Sequence, residues 1–104
     1  MSVMHFDKDN FEKEVLLSSH PVIVDFWAPW CAPCRMLAPI LEEAAAEAGP
    51  NVIVGKVNID EEMDLASRYS VMSIPTIVLF RSGKEAARLV GVQTKEDILH
   101  MLED

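Results

Sequence analysis

The order of hydrophobic and polar positions predicts a chain in which strands alternate with helices. Val22–Trp27 is β-branched or aromatic on both alternating faces apart from Asp25, which is typical of a central strand covered on both sides. Residues 33–48 instead repeat apolar side chains at helical spacing, with glutamates on the opposite side. The predicted strands are 3–6, Val22–Trp27, 52–58, Thr76–Arg81 and 85–90, and the predicted helices are one beginning near Asp9, 33–48, 62–69 and one beginning near Thr94.

Polar residues with capping ability precede three of the predicted helices. Asp9 is followed three residues later by Glu12, and Thr94 is followed three residues later by Asp97, the spacing of a capping box. Asp60 is predicted to cap the helix at 62–69. These residues predict where each helix begins.

The succession of elements predicts a mixed sheet. A strand, a helix and a strand between residues 22 and 58 imply a parallel, right-handed crossover. The last two strands are joined through Ser82-Gly83, which indicates an antiparallel hairpin. The expected fold class is therefore an α/β sandwich with helices on both faces of the sheet. Chemistry in such folds gathers beyond the carboxyl ends of strands, which here means residues 27–34.

Composition and charge narrow the class of protein. Of the 104 residues 50% are hydrophobic, which is enough for a core and excludes a disordered acidic tail. The formal net charge of −8 argues against binding nucleic acid or an anionic membrane surface. No apolar run reaches the roughly 18 residues of a membrane span, and no secretory signal is readable in the first 14 residues. We expect a small cytoplasmic protein, monomeric and acidic.

Two cysteines, Cys31 and Cys34, are the candidate reactive groups. A spacing of two intervening residues permits a disulfide when the second cysteine lies in the first turn of a helix. Pro33 suits the first helical position, where no N–H is needed. Cys31 then lies at the helix cap, where free N–H groups and the helix dipole favour a thiolate, while Cys34 is expected to be more buried.

The segment Trp27-Ala28-Pro29-Trp30-Cys31-Ala32-Pro33-Cys34-Arg35 resembles the active-site segment of thioredoxins. The resemblance continues through Val57-Asn58-Ile59-Asp60, Ser73-Ile74-Pro75-Thr76 and Phe80-Arg81-Ser82-Gly83-Lys84, and so covers nearly the whole chain. It implies one thioredoxin domain over residues 1–104, with a mixed five-stranded sheet between four helices.

The resemblance also implies an activity. The chain would be a protein-disulfide reductase in which Cys31 attacks a substrate disulfide and Cys34 resolves the mixed disulfide, with no cofactor and no metal. Its partners would be disulfide-containing proteins and an NADPH-dependent thioredoxin reductase.

Asp25 and Lys56 are the candidate proton-transfer residues. A carboxyl group inside an apolar strand is expected to be protonated or paired, with a raised pKa, unless it reaches solvent at the strand end. The resemblance makes Asp25 the proton acceptor for Cys34, through water. Lys56, on the neighbouring predicted strand, would either pair with Asp25 or remain solvated.

Three further residues, Trp30, Ile74 and Gly91, are candidates for contact with a substrate, and Pro75 is a candidate supporting residue beside them. Pro75 alone indicates only the start of a strand, whereas the resemblance implies a cis Ile74–Pro75 bond facing the dithiol. Ile74 would then offer backbone groups to an extended substrate segment. Trp30 is predicted to lie on an exposed rim, and Gly91 falls where the family has a glycine near its substrate groove.

Departures from the family pattern leave alternatives open. Ala32 replaces the glycine of the commonest dithiol loop, so we expect a modest change in redox potential of undetermined direction. Met72 and Ser73 replace an arginine–glycine pair. An oxidase or isomerase is one alternative, although such relatives usually carry histidine at the position of Pro33. A redox-independent binding subunit is another, whereas a zinc or iron–sulfur module lacks further ligands.

Overall fold

A computed structural model of the chain describes residues 3–103, and in this part the chain folds into a mixed five-stranded sheet flanked by helices. The strands are β1 (Met4–His5), β2 (Val22–Trp27), β3 (Ile53–Asn58), β4 (Thr76–Arg81) and β5 (Lys84–Val90). The helices are an N-terminal helix (Glu12–Leu16), α1 (Ala32–Ala48), α2 (Met63–Arg68) and α3 (Lys95–His100). The α/β fold class predicted from the sequence is confirmed.

The sheet has the order β1-β3-β2-β4-β5, with β2 at its centre. β3 is parallel to β2, as the crossover through α1 predicts. It is also parallel to β1, whereas β4 runs antiparallel to β2. β4 and β5 form the predicted hairpin, in which Ser82 and Gly83 both have positive φ, of 53° and 79°. Two consecutive positive φ angles match the twist of a two-residue hairpin loop.

Alternation along β2 divides the core between the two faces of the sheet. Val22, Val24 and Phe26 pack with the N-terminal helix and α2. Ile23 packs on the opposite face with α1 and α3. Because side chains alternate along a strand, Asp25 lies on the same face as Ile23 and is directed toward α1. The one polar residue of the central strand therefore faces the helix that carries Cys34.

The N-terminal helix begins differently from the prediction. Asp7 and Asn10, not Asp9 and Glu12, form the reciprocal pair: the Asp7 carboxylate accepts from the Asn10 N–H, and the Asn10 side chain accepts from the Asp7 N–H. The helix closes with a hydrogen bond from the Leu17 N–H to the Glu12 carbonyl, a π-type turn. The Asp9–Glu12 capping box is therefore wrong, because Asp7 satisfies the first N–H groups one half-turn earlier.

The predicted caps of the last two helices have different outcomes. The capping box between Thr94 and Asp97 is present and confirms the start of α3. Asp60 does not cap α2, whose N-cap is Glu62 and has no side-chain cap hydrogen bond. The Asp60 carboxylate instead accepts from the indole of Trp30, 30 residues earlier. The predicted Asp60 cap is wrong because a long-range partner takes the carboxylate.

Candidate functional site

The dithiol lies where β2 ends and α1 begins. The chain turns through residues 28–31, where the Cys31 N–H donates to the Ala28 carbonyl at 3.2 Å. Cys31 and Cys34 are joined by a disulfide, with their Cα atoms 5.3 Å apart. The site therefore occupies the carboxyl end of the central strand, as the order of elements predicts.

The start of α1 directs a backbone N–H group at the first sulfur. Cys31 is the N-cap, and its Sγ accepts from the Cys34 N–H at 3.2 Å. Ala32 occupies the first helical position and Pro33 the second, one residue later than predicted, and neither position requires a donor. Because the positive end of the helix dipole lies at the same place, negative charge on the Cys31 sulfur is favoured.

The two sulfurs lie in an apolar surrounding and differ slightly in access. Cys31 is 5% exposed and Cys34 is 1% exposed, the order predicted from the sequence. Both pack with Ala28, and the half-buried side chains of Trp27, Ile59 and Ile74 surround them. An approaching disulfide would therefore meet Cys31 first.

Asp25 is a fully buried acid. Its side chain is 0% exposed, and within residues 3–103 neither carboxylate oxygen has a hydrogen-bond partner. Burial raises the pKa of Asp25 from 3.8 to about 7, and the charge of Lys56 opposes this rise. The carboxyl group therefore exchanges its proton near neutral pH.

Lys56 is the cation whose charge acts on this acid. It is the register partner of Asp25 between β2 and β3, so the two side chains lie on the same face. Its Nζ lies 4.3 Å from the centre of the Trp27 ring. The cation–π contact and the half-buried position hold the lysine charge beside Asp25.

The loop before β4 lies against the dithiol. The Ile74–Pro75 peptide bond is cis, as the family resemblance implied. The Ile74 carbonyl oxygen lies 3.9 Å from the Cys31 Sγ. Gly91, with φ of 91°, donates its N–H to the Pro75 carbonyl at 2.8 Å, which brings the end of β5 to the same place.

Trp30 stands at the rim of the site. Its side chain is 66% exposed, and its Nε1–H donates to both Asp60 carboxylate oxygens, at 3.0 and 3.2 Å. Sequence reasoning assigned no site role to Asp60 or Ile59. The sequence could have indicated such a role, because Ile59 and Asp60 directly follow β3. The end of β3 lies next to the end of β2 in the sheet.

Neither a metal-binding cluster nor a membrane-spanning helix occurs within residues 3–103. No group of three or more His, Cys, Asp or Glu side chains is arranged to hold a metal ion. None of the helices there has the length and apolar character needed to cross a membrane.

The fold and the disulfide at the start of α1 define a dithiol–disulfide oxidoreductase of the α/β class. A family model described as Thioredoxin matches residues 2–104. A thioredoxin of Acidithiobacillus ferridurans is 45% identical over 102 residues, covering 98% of this chain and 94% of the relative. A thioredoxin of Mycolicibacterium smegmatis is 47% identical over 98 residues, covering 92% and 88%, and thioredoxin 1 of Synechococcus elongatus is 47% identical over 93 residues, covering 89% and 87%. The chain belongs to the thioredoxin family, whose members are protein-disulfide oxidoreductases.

Proposed function

We propose that this chain reduces protein disulfides, with Cys31 as the attacking and Cys34 as the resolving cysteine. The Cys31 thiolate displaces one sulfur of the substrate disulfide, which leaves as a thiolate, and forms a mixed disulfide. The Cys34 thiolate then attacks the Cys31 sulfur and releases the second substrate thiolate. Two electrons pass to the substrate, and the Cys31–Cys34 disulfide remains. The position of this disulfide at the N-cap of α1 carries the proposal.

Proximity contributes more than acidity to the rate of this exchange. Lowering a thiol pKa from about 8.5 to about 7 raises the thiolate fraction at pH 7 roughly 16-fold. The accompanying loss of nucleophilicity is roughly fivefold, which leaves a gain of about threefold. Cys34, held 5.3 Å from Cys31 between Cα atoms, acts within one molecule, where effective concentrations are far larger. The resolving step therefore gains most from the fold.

Asp25 is proposed as the acceptor, through water, of the proton that Cys34 must lose. Its carboxyl group is buried, faces α1 and has a pKa of about 7, so it is partly ionised under neutral conditions. Lys56 keeps that pKa from rising further. The pair would thus supply a base inside an apolar site without a permanently ionised, unpaired carboxylate.

Substrates are proposed to dock across the rim formed by Trp30, Ile74 and Gly91. Ile74 presents its carbonyl beside the Cys31 sulfur, and the carbonyl of Pro75 accepts from the Gly91 N–H next to it. Ala32 and Pro33 are exposed and form the part of the rim between the cysteines. We further propose that residues 1–104 act as one monomeric cytoplasmic domain, re-reduced by an NADPH-dependent thioredoxin reductase.

A redox titration together with an insulin reduction assay tests the proposed direction of electron flow. We expect the Cys31–Cys34 couple to have a midpoint potential near the thioredoxin family value of about −270 mV and the reduced protein to cleave insulin disulfides. A potential of about −120 to −180 mV, with oxidation of substrate thiols, would instead support the oxidase or isomerase alternative.

Lys56→Gln tests the coupling between the lysine and the acid. Because the Lys56 charge lowers the pKa of Asp25, its removal raises that pKa and reduces the carboxylate fraction at pH 7. For a rise of one pKa unit the ionised fraction of Asp25 at pH 7 falls from about one half to about one tenth, so we expect resolution of the mixed disulfide to slow by about fivefold at pH 7 and to recover at higher pH. The measurement is the pH profile of single-turnover exchange. Lys13→Gln, an exposed lysine on the N-terminal helix, is the control that should leave the profile unchanged.

A further inference from the structure

The segment 71–75 joins α2 to β4 and carries the backbone that faces the dithiol. Its far end is held by two hydrogen bonds. The Thr76 hydroxyl donates to the Ser73 carbonyl at 2.6 Å, and the Gly91 N–H donates to the Pro75 carbonyl at 2.8 Å. These contacts fix the end at which Ile74 lies beside Cys31. The placement of the whole segment then depends on how its near end, at the end of α2, is held.

α2 ends in a Schellman motif that leaves two carbonyls to be satisfied. The Val71 N–H donates to the Ala66 carbonyl and the Ser70 N–H donates to the Ser67 carbonyl. Ser70 has a φ of 54° at the position where glycine is usual. A residue with a side chain adopts this conformation less readily than glycine, so contacts from outside the helix would help to stabilise the turn. The carbonyls of Tyr69 and Ser70 point away from the helix and supply the place for such contacts.

Arg88 of β5 satisfies both of these carbonyls. Its Nη2 donates to the Tyr69 carbonyl, and its Nη1 donates to the Ser70 carbonyl at 3.3 Å. The Nε and Nη2 atoms of the same guanidinium make two hydrogen bonds of 2.8 Å to the Glu85 carboxylate, so Nη2 donates to both partners. One planar cation therefore joins the edge strand to the turn after α2, with its orientation set by a bidentate partner.

A β-bulge makes this arrangement possible. Residues three apart in a regular strand point to opposite faces, so Glu85 and Arg88 would not meet. On β4, however, Leu79 pairs with Ala87 and Phe80 pairs with Glu85, which leaves Ala86 as an extra residue. The extra residue shifts the alternation by one and brings both side chains to the same face. The bulge thus orients the cation toward the turn.

We propose that Arg88, oriented by Glu85, is a positioning residue for the reduction of protein disulfides, because it holds the turn from which the segment 71–75 extends to the dithiol. Arg88 touches neither the sulfurs nor the substrate and acts through the placement of Ile74. The proposal rests on the proposed docking of protein substrates along Ile74. A small disulfide needs no such docking, so its reduction should not depend on Arg88.

The planar guanidinium, rather than its charge, is the required feature. Arginine presents several N–H donors in a fixed plane, whereas the ammonium of lysine is a point charge on a flexible stem. Lysine at position 88 cannot serve the two carbonyls and the carboxylate with the same geometry. Arg88→Lys therefore keeps the positive charge but loses the planar set of hydrogen bonds to the two carbonyls and to Glu85. Arg88→Gln loses both the charge and these hydrogen bonds.

Steady-state reduction of insulin and of a small aromatic disulfide by the Arg88 variants tests the proposal. We expect Arg88→Lys and Arg88→Gln each to raise KM for insulin about tenfold, the effect of losing one charge-assisted hydrogen bond, with kcat nearly unchanged. The rate with the small disulfide and the midpoint potential should remain those of the parent protein. Amide exchange at the Val71 N–H should become faster in both variants.

Two controls separate positioning from a general loss of stability. Lys84→Gln removes a positive charge from the exposed start of β5, and Thr94→Ala removes the cap of α3 on the other face of the sheet. Both should keep the parent KM for insulin. Glu85→Gln, which keeps Arg88 but loosens its orientation, should give an intermediate KM and serves if Arg88→Gln does not fold.

An unchanged KM in Arg88→Lys, or equal losses with insulin and the small disulfide, would overturn the proposed role. Failure of the parent protein itself to reduce insulin would contradict the proposed function instead. The two failures are therefore distinguishable in the same set of assays.

Discussion

We expect the Cys31→Ser variant to lose disulfide reductase activity completely within the range of an insulin assay. Serine retains the helix cap but provides no thiolate, so the first attack on the substrate cannot take place. Cys34 cannot replace it, because Cys34 is only 1% exposed and packs in the apolar cluster with Ala28 and Cys31. The measurement compares initial rates of insulin reduction by parent and variant.

Cys34→Ser is the matched variant, because it makes the same atomic change at the resolving position. It should still attack, so we expect a covalent complex with the substrate to accumulate, visible by non-reducing electrophoresis and reversed by dithiothreitol. Stable complexes with Cys31→Ser and none with Cys34→Ser would reverse the two roles.

The second large effect is expected from Asp25→Asn, which should make the oxidised protein more stable at neutral pH. Below pH 3.8 the Asp25 carboxyl is protonated in both the folded and the unfolded chain, so its ionisation does not lower the free energy of unfolding. Between pH 3.8 and about 7 the unfolded chain loses this proton while the folded protein retains it, so stability falls as the pH rises. Over this interval the free energy of unfolding of the parent protein should fall by about 4 kcal/mol. The asparagine variant has no carboxyl group here and should not show this loss.

Chemical denaturation at a series of pH values between 3 and 8 measures this effect. The difference in unfolding free energy between Asp25→Asn and the parent should be small near pH 3 and largest above pH 7. Asp9→Asn, a substitution of an exposed carboxylate, is the control and should follow the parent curve. A difference that does not change with pH would show that Asp25 is not a buried titrating group.

The same variant should be a poorer reductant. If Asp25 accepts the Cys34 proton, we expect resolution of the mixed disulfide to slow by roughly 10- to 100-fold at pH 7, at or below the lower end of general base catalysis. The rate should rise with pH as solvent takes over the proton. Unchanged resolution over the whole pH range would exclude the proton-transfer role while leaving the stability prediction intact.

Patterns that act locally predicted most of the fold. The two-sided apolar strand Val22–Trp27, the amphipathic helix after it and the Ser82-Gly83 turn each follow from neighbouring residues alone, and each is present in the structure. The capping box at Thr94 is confirmed for the same reason. The predicted start of the N-terminal helix was wrong. Asp7, Asp9 and Asn10 can all cap a helix, and the local sequence does not show which of them does so. The predicted Asp60 cap was wrong because the Asp60 carboxylate binds the indole of Trp30. Trp30 lies 30 residues away in sequence, so local patterns do not reveal this contact.

The residues of the candidate site also divide into those that local sequence predicts and those that depend on contacts between distant segments. Cys31, Cys34 and the buried Asp25 follow from a motif and a break in an apolar pattern, both readable from the sequence. The packing of Ile59 against the sulfurs and the approach of Ile74 to Cys31 depend on how separate strands end together. The contact of Arg88 with the turn after α2 depends on a bulge that leaves no signal in the hydrophobic pattern.

The buried position of Asp25 has a consequence for the evolution of this chain. A change to asparagine would offset a destabilising substitution almost anywhere else in the core, since its benefit does not depend on the location of the damage. Asp25→Asn should therefore appear as a general suppressor in any selection for folding alone. A selection that demands redox turnover should remove the same change. If Asp25 carries the proposed proton transfer, retention of aspartate at this position is the result expected of selection for redox turnover rather than for folding alone.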